Sequence, residues 1–117
     1  MKVRSSSNRA ARLHSRTMPT TKLSDHDVAE RLHALPEWSQ PGEEIQRTYR
    51  FKDFVVAMSF VDHIATLAEH QHHHPDILIR YSRVTLSLST HDAGGITDKD
   101  FDFAHAADRL AVESGAK

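Results

Sequence analysis

Residues 52–75 read KDFVVAMSFVDHIATLAEHQHHHP, and this stretch decides how the rest of the chain can fold. Apolar residues recur in it at spacings of three and four, which is the pattern of a helix that buries one face. The apolar stripe consists of Phe54, Ala57, Met58, Val61, Ile64, Ala65 and Ala68. We therefore predict the principal core helix over residues 52–70. Pro75 cannot continue this helix, so the chain has to turn within the histidines that precede it.

The residues before this helix predict another helix and a β-hairpin. Ser24 is a suitable N-cap for a helix that ends before Pro36. Residues 37–43 read as a short strand and a turn, because they contain a Pro-Gly pair. Residues 45–51 alternate between apolar and polar side chains, which is typical of a half-exposed antiparallel strand. We expect these two strands to pair as a hairpin.

The residues after the core helix repeat this order. Residues 77–81 and 83–90 read as two strands, and the second has apolar side chains on one face only. The sequence from Thr97 opens a last amphipathic helix. The element order is α-β-β-α-β-β-α. We predict an α+β fold in which a four-stranded antiparallel sheet is covered by helices on one face.

Length and composition restrict the class of protein. A chain of 117 residues builds one hydrophobic core, and we assign residues 21–117 to a single domain. The sequence contains no cysteine, which excludes disulfides, thiolate metal sites and a cysteine nucleophile. No apolar run approaches the roughly 18 residues that a membrane-spanning helix needs. We expect a cytoplasmic protein that does not bind membranes.

The charges are distributed unevenly along the chain. Residues 1–24 contain six basic residues and no acidic one, and we predict that residues 1–20 form a disordered basic extension. The remaining residues contain nine Lys or Arg and sixteen Asp or Glu, which gives them a net charge of −7 with neutral histidines. Affinity for nucleic acid depends mostly on neutralising phosphates, so we expect no nucleic-acid partner.

The end of the core helix carries four histidines and a carboxylate within residues 69–75. As a metal site this cluster is unconvincing, because consecutive histidines point in different directions and no distant ligand is paired with them by a known motif. His91 is the one distant candidate, and we predict no metal site. A solvated loop is a second interpretation, since protonated histidines suit the negative end of a helix dipole. We favour it for His70 and His72.

A proton-transfer site is the third interpretation. In this interpretation, imidazoles from the loop at Pro75 and from His91, which follows the last predicted strand, converge on one pocket. Neutral and protonated imidazole coexist near pH 7, so two such groups supply an acid and a base without extreme pKa shifts.

Seven spaced residues also carry a family resemblance. They are Glu69, His73, His74, Pro75, Tyr81, His91 and Asp100. Their spacing resembles the signature of the pterin-4a-carbinolamine dehydratases, and the similarity extends over residues 23–112.

The resemblance implies an enzyme that removes water from a 4a-hydroxytetrahydropterin and produces the quinonoid dihydropterin. It implies no metal and no other cofactor, and a small pterin as the only substrate. By the same resemblance, His73 and His91 are the general acid/base candidates. His74 is expected to bind or orient the pterin.

Three further residues match the signature and are expected to contact the substrate or position the histidines. Each also has an alternative interpretation. Glu69 is then an exposed acidic residue at the end of a helix. Asp100 is a capping residue in the first turn of the last helix, and Tyr81 is a strand residue packed beside the core.

A different functional class also stays open. The chain is alternatively a non-catalytic binding module of the same fold, either a partner-binding cofactor or a His-rich metal-binding protein. The resemblance further implies a homodimer or homotetramer, which agrees with the sheet edges that this fold leaves to be paired.

Overall fold

The computed structural model describes residues 20–117, so the extension predicted over residues 1–20 lies almost wholly outside the described residues. The elements in chain order are α1 (Asp25–Leu32), β1 (Ile45–Arg50), α2 (Phe54–Gln71), β2 (Asp76–Arg80), β3 (Arg83–Leu88), a 3₁₀ turn (His91–Ala93) and α3 (Asp98–Glu113). Within the described residues, no helix is both long enough and apolar enough to span a membrane.

The sheet has three antiparallel strands in the order β1-β3-β2, and the prediction of four strands was wrong. Within residues 37–43 only Ser39 pairs, through an isolated bridge to Gln46 with two backbone hydrogen bonds of 2.9 Å. Pro41 has no amide hydrogen to donate, and Gly42 turns the chain with a φ of 80°. Pairing therefore stops at Pro41 on one side of Ser39, and residues 37–43 form a single bridge and not a strand. The α+β class holds.

The two faces of the sheet differ in composition. One face carries the fully buried residues of β1 and β3, which form one hydrophobic core with the helices: Ile45, Tyr49, Val84, Leu86 and Leu88. The other face, here called the open face, consists of nine residues in three rows across the strands. The rows are Gln46, Ser87 and Asp76, then Thr48, Thr85 and Leu78, then Arg50, Arg83 and Arg80. All nine are exposed or half-buried.

Helix α2 is the core helix that the sequence predicts, with its ends shifted by one or two residues. The side chain of Asp53 accepts a hydrogen bond of 2.9 Å from the Val56 amide and so caps the first turn. The buried face of α2 contains Ala57, Phe60, Ile64 and Ala68. Phe60 is absent from the predicted stripe, yet its ring packs on both Tyr49 and Phe51 at centroid distances of 4.8 and 5.0 Å.

Asp108 of α3 connects that helix to β1 and to the turn before it. One carboxylate oxygen, Oδ1, accepts hydrogen bonds from Trp38 Nε1 at 3.0 Å, Arg47 Nη1 at 3.0 Å and Tyr49 OH at 2.5 Å. Burial of the Tyr49 phenol and its hydrogen bond to Asp108 raise the pKa of Tyr49 above its ordinary value. The phenol is therefore a permanent donor to this carboxylate near neutral pH.

Replacement of this carboxylate tests how much it stabilises the fold. Asp108→Ala leaves three donors without their acceptor, and we expect the free energy of unfolding to fall by about 2–4 kcal/mol. Urea denaturation measures this change. Asp102→Ala, at an exposed position of the same helix, is the matched control and should stay within about 0.5 kcal/mol of the parent. Equal stability of the two variants would contradict the role of Asp108.

Candidate active site

The chain leaves α2 through a left-handed residue, His72, whose φ is 52°. The amide of His73 donates to the Ala68 carbonyl at 3.1 Å and closes the end of the helix. The following residues run towards β2, where neighbouring side chains point to opposite sides. His73 is directed into the protein and His74 outward, so the two adjacent histidines have different surroundings.

His73 contacts a buried carboxylate. Its Nε2 lies 2.6 Å from Asp100 Oδ1, and the exposed fractions of the two side chains are 11% and 0%. Asp100 Oδ2 also accepts hydrogen bonds from the Thr90 hydroxyl and from the Thr97 amide, both at 2.9 Å. The hydroxyls of Thr90 and Thr97 lie 2.7 Å apart. One buried carboxylate thus joins the loop after α2, the chain after β3 and the start of α3.

This geometry fixes the tautomer of His73. A carboxylate only accepts hydrogen bonds, so His73 Nε2 has to carry a hydrogen. In the neutral ring Nδ1 is then left as the acceptor. Asp100 is also N3 of α3, where it completes a capping box with Thr97. Capping and contact with the histidine, which the sequence presents as alternatives, are two properties of the same side chain.

His74 pairs with the carboxylate of Glu69 near the end of α2. His74 Nε2 lies 2.6 Å from Glu69 Oε2, and the side chains are 62% and 79% exposed. The hydrogen bond from His74, and then its charge, lower the pKa of Glu69 below the ordinary value. Glu69 is therefore ionised near neutral pH and holds the His74 ring by its Nε2 edge.

His91 begins the 3₁₀ turn that follows Thr90. The chain here is closed by an isolated bridge between Thr90 and Gly95, with a 2.8 Å hydrogen bond from the Thr90 amide. This bridge holds His91 beside the end of the open face. His91 and His74 line the same polar cleft, which has a volume of about 290 Å³ and is completed by Glu44, Asp76, Ser87 and Ser89.

The structure brings some of the predicted residues together and not others. His74 and His91 line one cleft, while His73 lies beneath the surface on Asp100 and Glu69 contacts the site through His74. Tyr81 does not line the cleft. It lies in the tight turn between β2 and β3, where it is 69% exposed with a φ of 52°.

Several residues of the site were not predicted. Ser87 and Ser89 carry a signal in the sequence, because strand alternation places them on the polar face. Asp76 follows the histidine cluster in the sequence. Glu44 carries no comparable signal, because only the fold brings the residue before β1 to this cleft. Over residues 20–117, no three His, Asp or Glu side chains are grouped closely enough to hold a metal ion.

A two-layer α+β fold in which His74 and His91 line one polar cleft defines the class of protein, and the comparisons define the family. A family model described as pterin 4 alpha carbinolamine dehydratase matches residues 21–110. The chain therefore belongs to the pterin-4-alpha-carbinolamine dehydratase family.

Individual relatives agree with this assignment. A protein of Chloroflexus aurantiacus, whose name gives pterin-4-alpha-carbinolamine dehydratase as a provisional assignment, is 53% identical over 76% of this chain and 96% of its own. The crystal structure of a transcriptional coactivator/pterin dehydratase from Brucella melitensis is 34% identical, has a TM-score of 0.75 and covers 78% of this chain and 99% of its own.

A more distant structure shares the fold. It is described as a pterin dehydratase-like protein that is a RuBisCO assembly factor in the alpha-carboxysome, with 24% identity and a TM-score of 0.56. It covers 64% of this chain and 89% of its own.

The contact between His73 and Asp100 is open to a direct test. Asp100→Asn removes the charge that holds hydrogen on Nε2, and we expect the neutral His73 ring to lose its preference for that tautomer. Nitrogen NMR of the imidazole distinguishes the two forms. The free energy of unfolding should also fall by about 1–3 kcal/mol, because buried donors lose a charged acceptor. Asp92→Asn, at an exposed position of the 3₁₀ turn, is the control and should change neither the tautomer of His73 nor the free energy of unfolding. An unchanged tautomer after Asp100→Asn would contradict the role of Asp100 in selecting it.

Proposed function

We propose that this protein catalyses the dehydration of a 4a-hydroxytetrahydropterin to the quinonoid dihydropterin by general acid/base catalysis. The observation that carries the proposal is the polar cleft that His74 and His91 line from two different segments. His73, which precedes His74 in the chain, is held by its contact with Asp100. Membership of the family supports the same reaction.

The reaction requires two proton transfers and no oxidant or reductant. An acid protonates the 4a-hydroxyl, and the bond between C4a and that oxygen breaks to release water. A base removes the proton from N5, and the electron pair of the N–H bond forms the double bond between N5 and C4a. Afterwards the acid regains a proton from solvent and the base loses one to solvent. Imidazole is the side chain whose ordinary pKa lies nearest neutrality, so it suits both steps.

Each histidine has a proposed role that follows from its surroundings. His91 lines the cleft at an exposed position and protonates the departing hydroxyl. His73 accepts a proton through Nδ1, the ring nitrogen that its contact with Asp100 leaves without a hydrogen. His74, whose Nε2 edge Glu69 holds, orients the pterin. In this proposal Asp100 acts through His73 and does not contact the substrate, since it is fully buried.

A second candidate function is a non-catalytic binding module of the same fold. It is favoured by the Brucella melitensis structure, whose description combines a transcriptional coactivator with a pterin dehydratase. Calorimetric titration separates the candidates: a dihydropterin should bind stoichiometrically if the protein is the enzyme. A tight stoichiometric zinc site without pterin binding would instead favour the binding module.

We also propose a cytoplasmic homo-oligomer, either a dimer or a tetramer. The composition without cysteine supports a reducing compartment. Strand β2 lies at the edge of the sheet and exposes Ile77 and Leu78, and such an edge is commonly covered by another chain. Sedimentation velocity measures the state directly.

Substitution of single histidines tests the proposed reaction. His91→Ala and His73→Ala should each lower kcat for dehydration by about 10²- to 10⁴-fold, because each removes one proton transfer. The rate is measured from the absorbance of the quinonoid product in stopped flow, with circular dichroism to verify the fold. His105→Ala, at an exposed position of α3, is the control and should retain the parental rate. Parental rates in both active-site variants would exclude this mechanism.

A further inference from the structure

The open face of the sheet carries a row of three arginines. Arg50 of β1 is in register with Arg83 of β3, and Arg83 is in register with Arg80 of β2. Residues directly opposite each other on neighbouring strands share a face. All three arginines are exposed, and they form the end of the open face that is farther from the cleft.

No acidic side chain in the described part of the chain forms an ion pair with this row. Like charges placed directly opposite each other on neighbouring strands destabilise a sheet. The residues after position 24 have a net charge of −7, so carboxylates are abundant. None of the ion pairs formed within residues 20–117 nevertheless includes Arg50, Arg80 or Arg83. The row is therefore available to bind an anion from outside the chain.

The row is continuous with the candidate active site. Arg80 and Arg83 line a groove of about 230 Å³ together with Thr48, Leu78 and Thr85. The cleft with the histidines begins at Ser87, two positions after Thr85 on β3. Ser87 lies four positions after Arg83, which is roughly 13 Å of strand. The open face thus connects a cleft with two carboxylates, Glu44 and Asp76, to a basic groove.

We propose that the natural substrate is a pterin whose side chain ends in an anionic group, a phosphate or a carboxylate, bound by Arg80 and Arg83. This inference rests on the proposed function, because the pterin ring has to occupy the cleft. The side chain lies over Thr85 and Leu78, whose row separates the two ends. Guanidinium groups in a row match the oxygens of such an anion, and their hydrogen bonds to it are charge-assisted. A short neutral side chain would not contact the arginines of the groove.

Calorimetric titration of the full chain with matched, unreactive oxidised pterins tests this substrate class. The pair is 6-hydroxymethylpterin and its phosphate monoester, and pteroylglutamate provides a carboxylate-ended third ligand. We expect one or both anionic ligands to bind about tenfold or more tightly than the neutral pterin, since one charge-assisted hydrogen bond is worth about that factor. The anionic ligand whose affinity exceeds that of the neutral pterin by the larger factor identifies phosphate or carboxylate as the terminal group.

Substitutions locate the effect. Arg83→Gln and Arg80→Gln should each remove most of the advantage of the anionic ligand and leave the affinity for 6-hydroxymethylpterin unchanged. Arg109→Gln, at an exposed position of α3, is the matched control for loss of one positive charge and should preserve the advantage. A similar loss in all three variants would show a general charge effect and would overturn the assignment to the row.

The outcomes for the parent protein separate this inference from the proposed function. Equal affinity for the neutral and both anionic pterins would overturn the inference alone. Failure of every pterin to bind would overturn the proposed function and the inference together.

Discussion

The candidate site depends on the hydrogen bonds that the buried carboxylate of Asp100 accepts. A buried charge is tolerated only when its hydrogen bonds are satisfied, and Asp100 receives donors from three separate segments: His73, Thr90 and Thr97. His74 follows His73 directly and His91 follows Thr90 directly, so the same carboxylate sets the positions of both histidines that line the cleft. A histidine that is oriented in this way can transfer a proton without first reorganising.

The open face of the sheet gives the site its polarity. A sheet with helices on one side leaves the other side free, and here the free side joins a cleft that contains Glu44 and Asp76 to a groove that contains Arg80 and Arg83. Asp76 and Arg80 both belong to β2, and Ser87 and Arg83 both belong to β3, so strand geometry fixes the separation of the two ends at these residues. The fold therefore supplies a rigid surface with opposite charges at its two ends.

Local patterns predict those parts of the structure that depend on neighbours in the sequence. The spacing of apolar residues predicts α2, and alternation predicts β3. The signature contains His74 and His91, which the structure places in one cleft. The prediction of a fourth strand was wrong, because Pro41 has no amide hydrogen with which to continue the pairing that begins at Ser39. The left-handed turn at His72 decides which of the two adjacent histidines, His73 or His74, is directed inward, and the arginine row follows from strand register. Neither is encoded in local periodicity.

A crystal structure with a bound 7,8-dihydropterin tests the central claim most directly, because it locates the ligand and the histidines together. The account predicts the pterin in the cleft between His74 and His91, with N5 and the 4a position within hydrogen-bond reach of imidazole nitrogens, about 2.6–3.2 Å or through one water. A pterin bound in the apolar cavity between α2 and α3, where Leu67 and Leu110 lie, with no contact to these histidines, would contradict it.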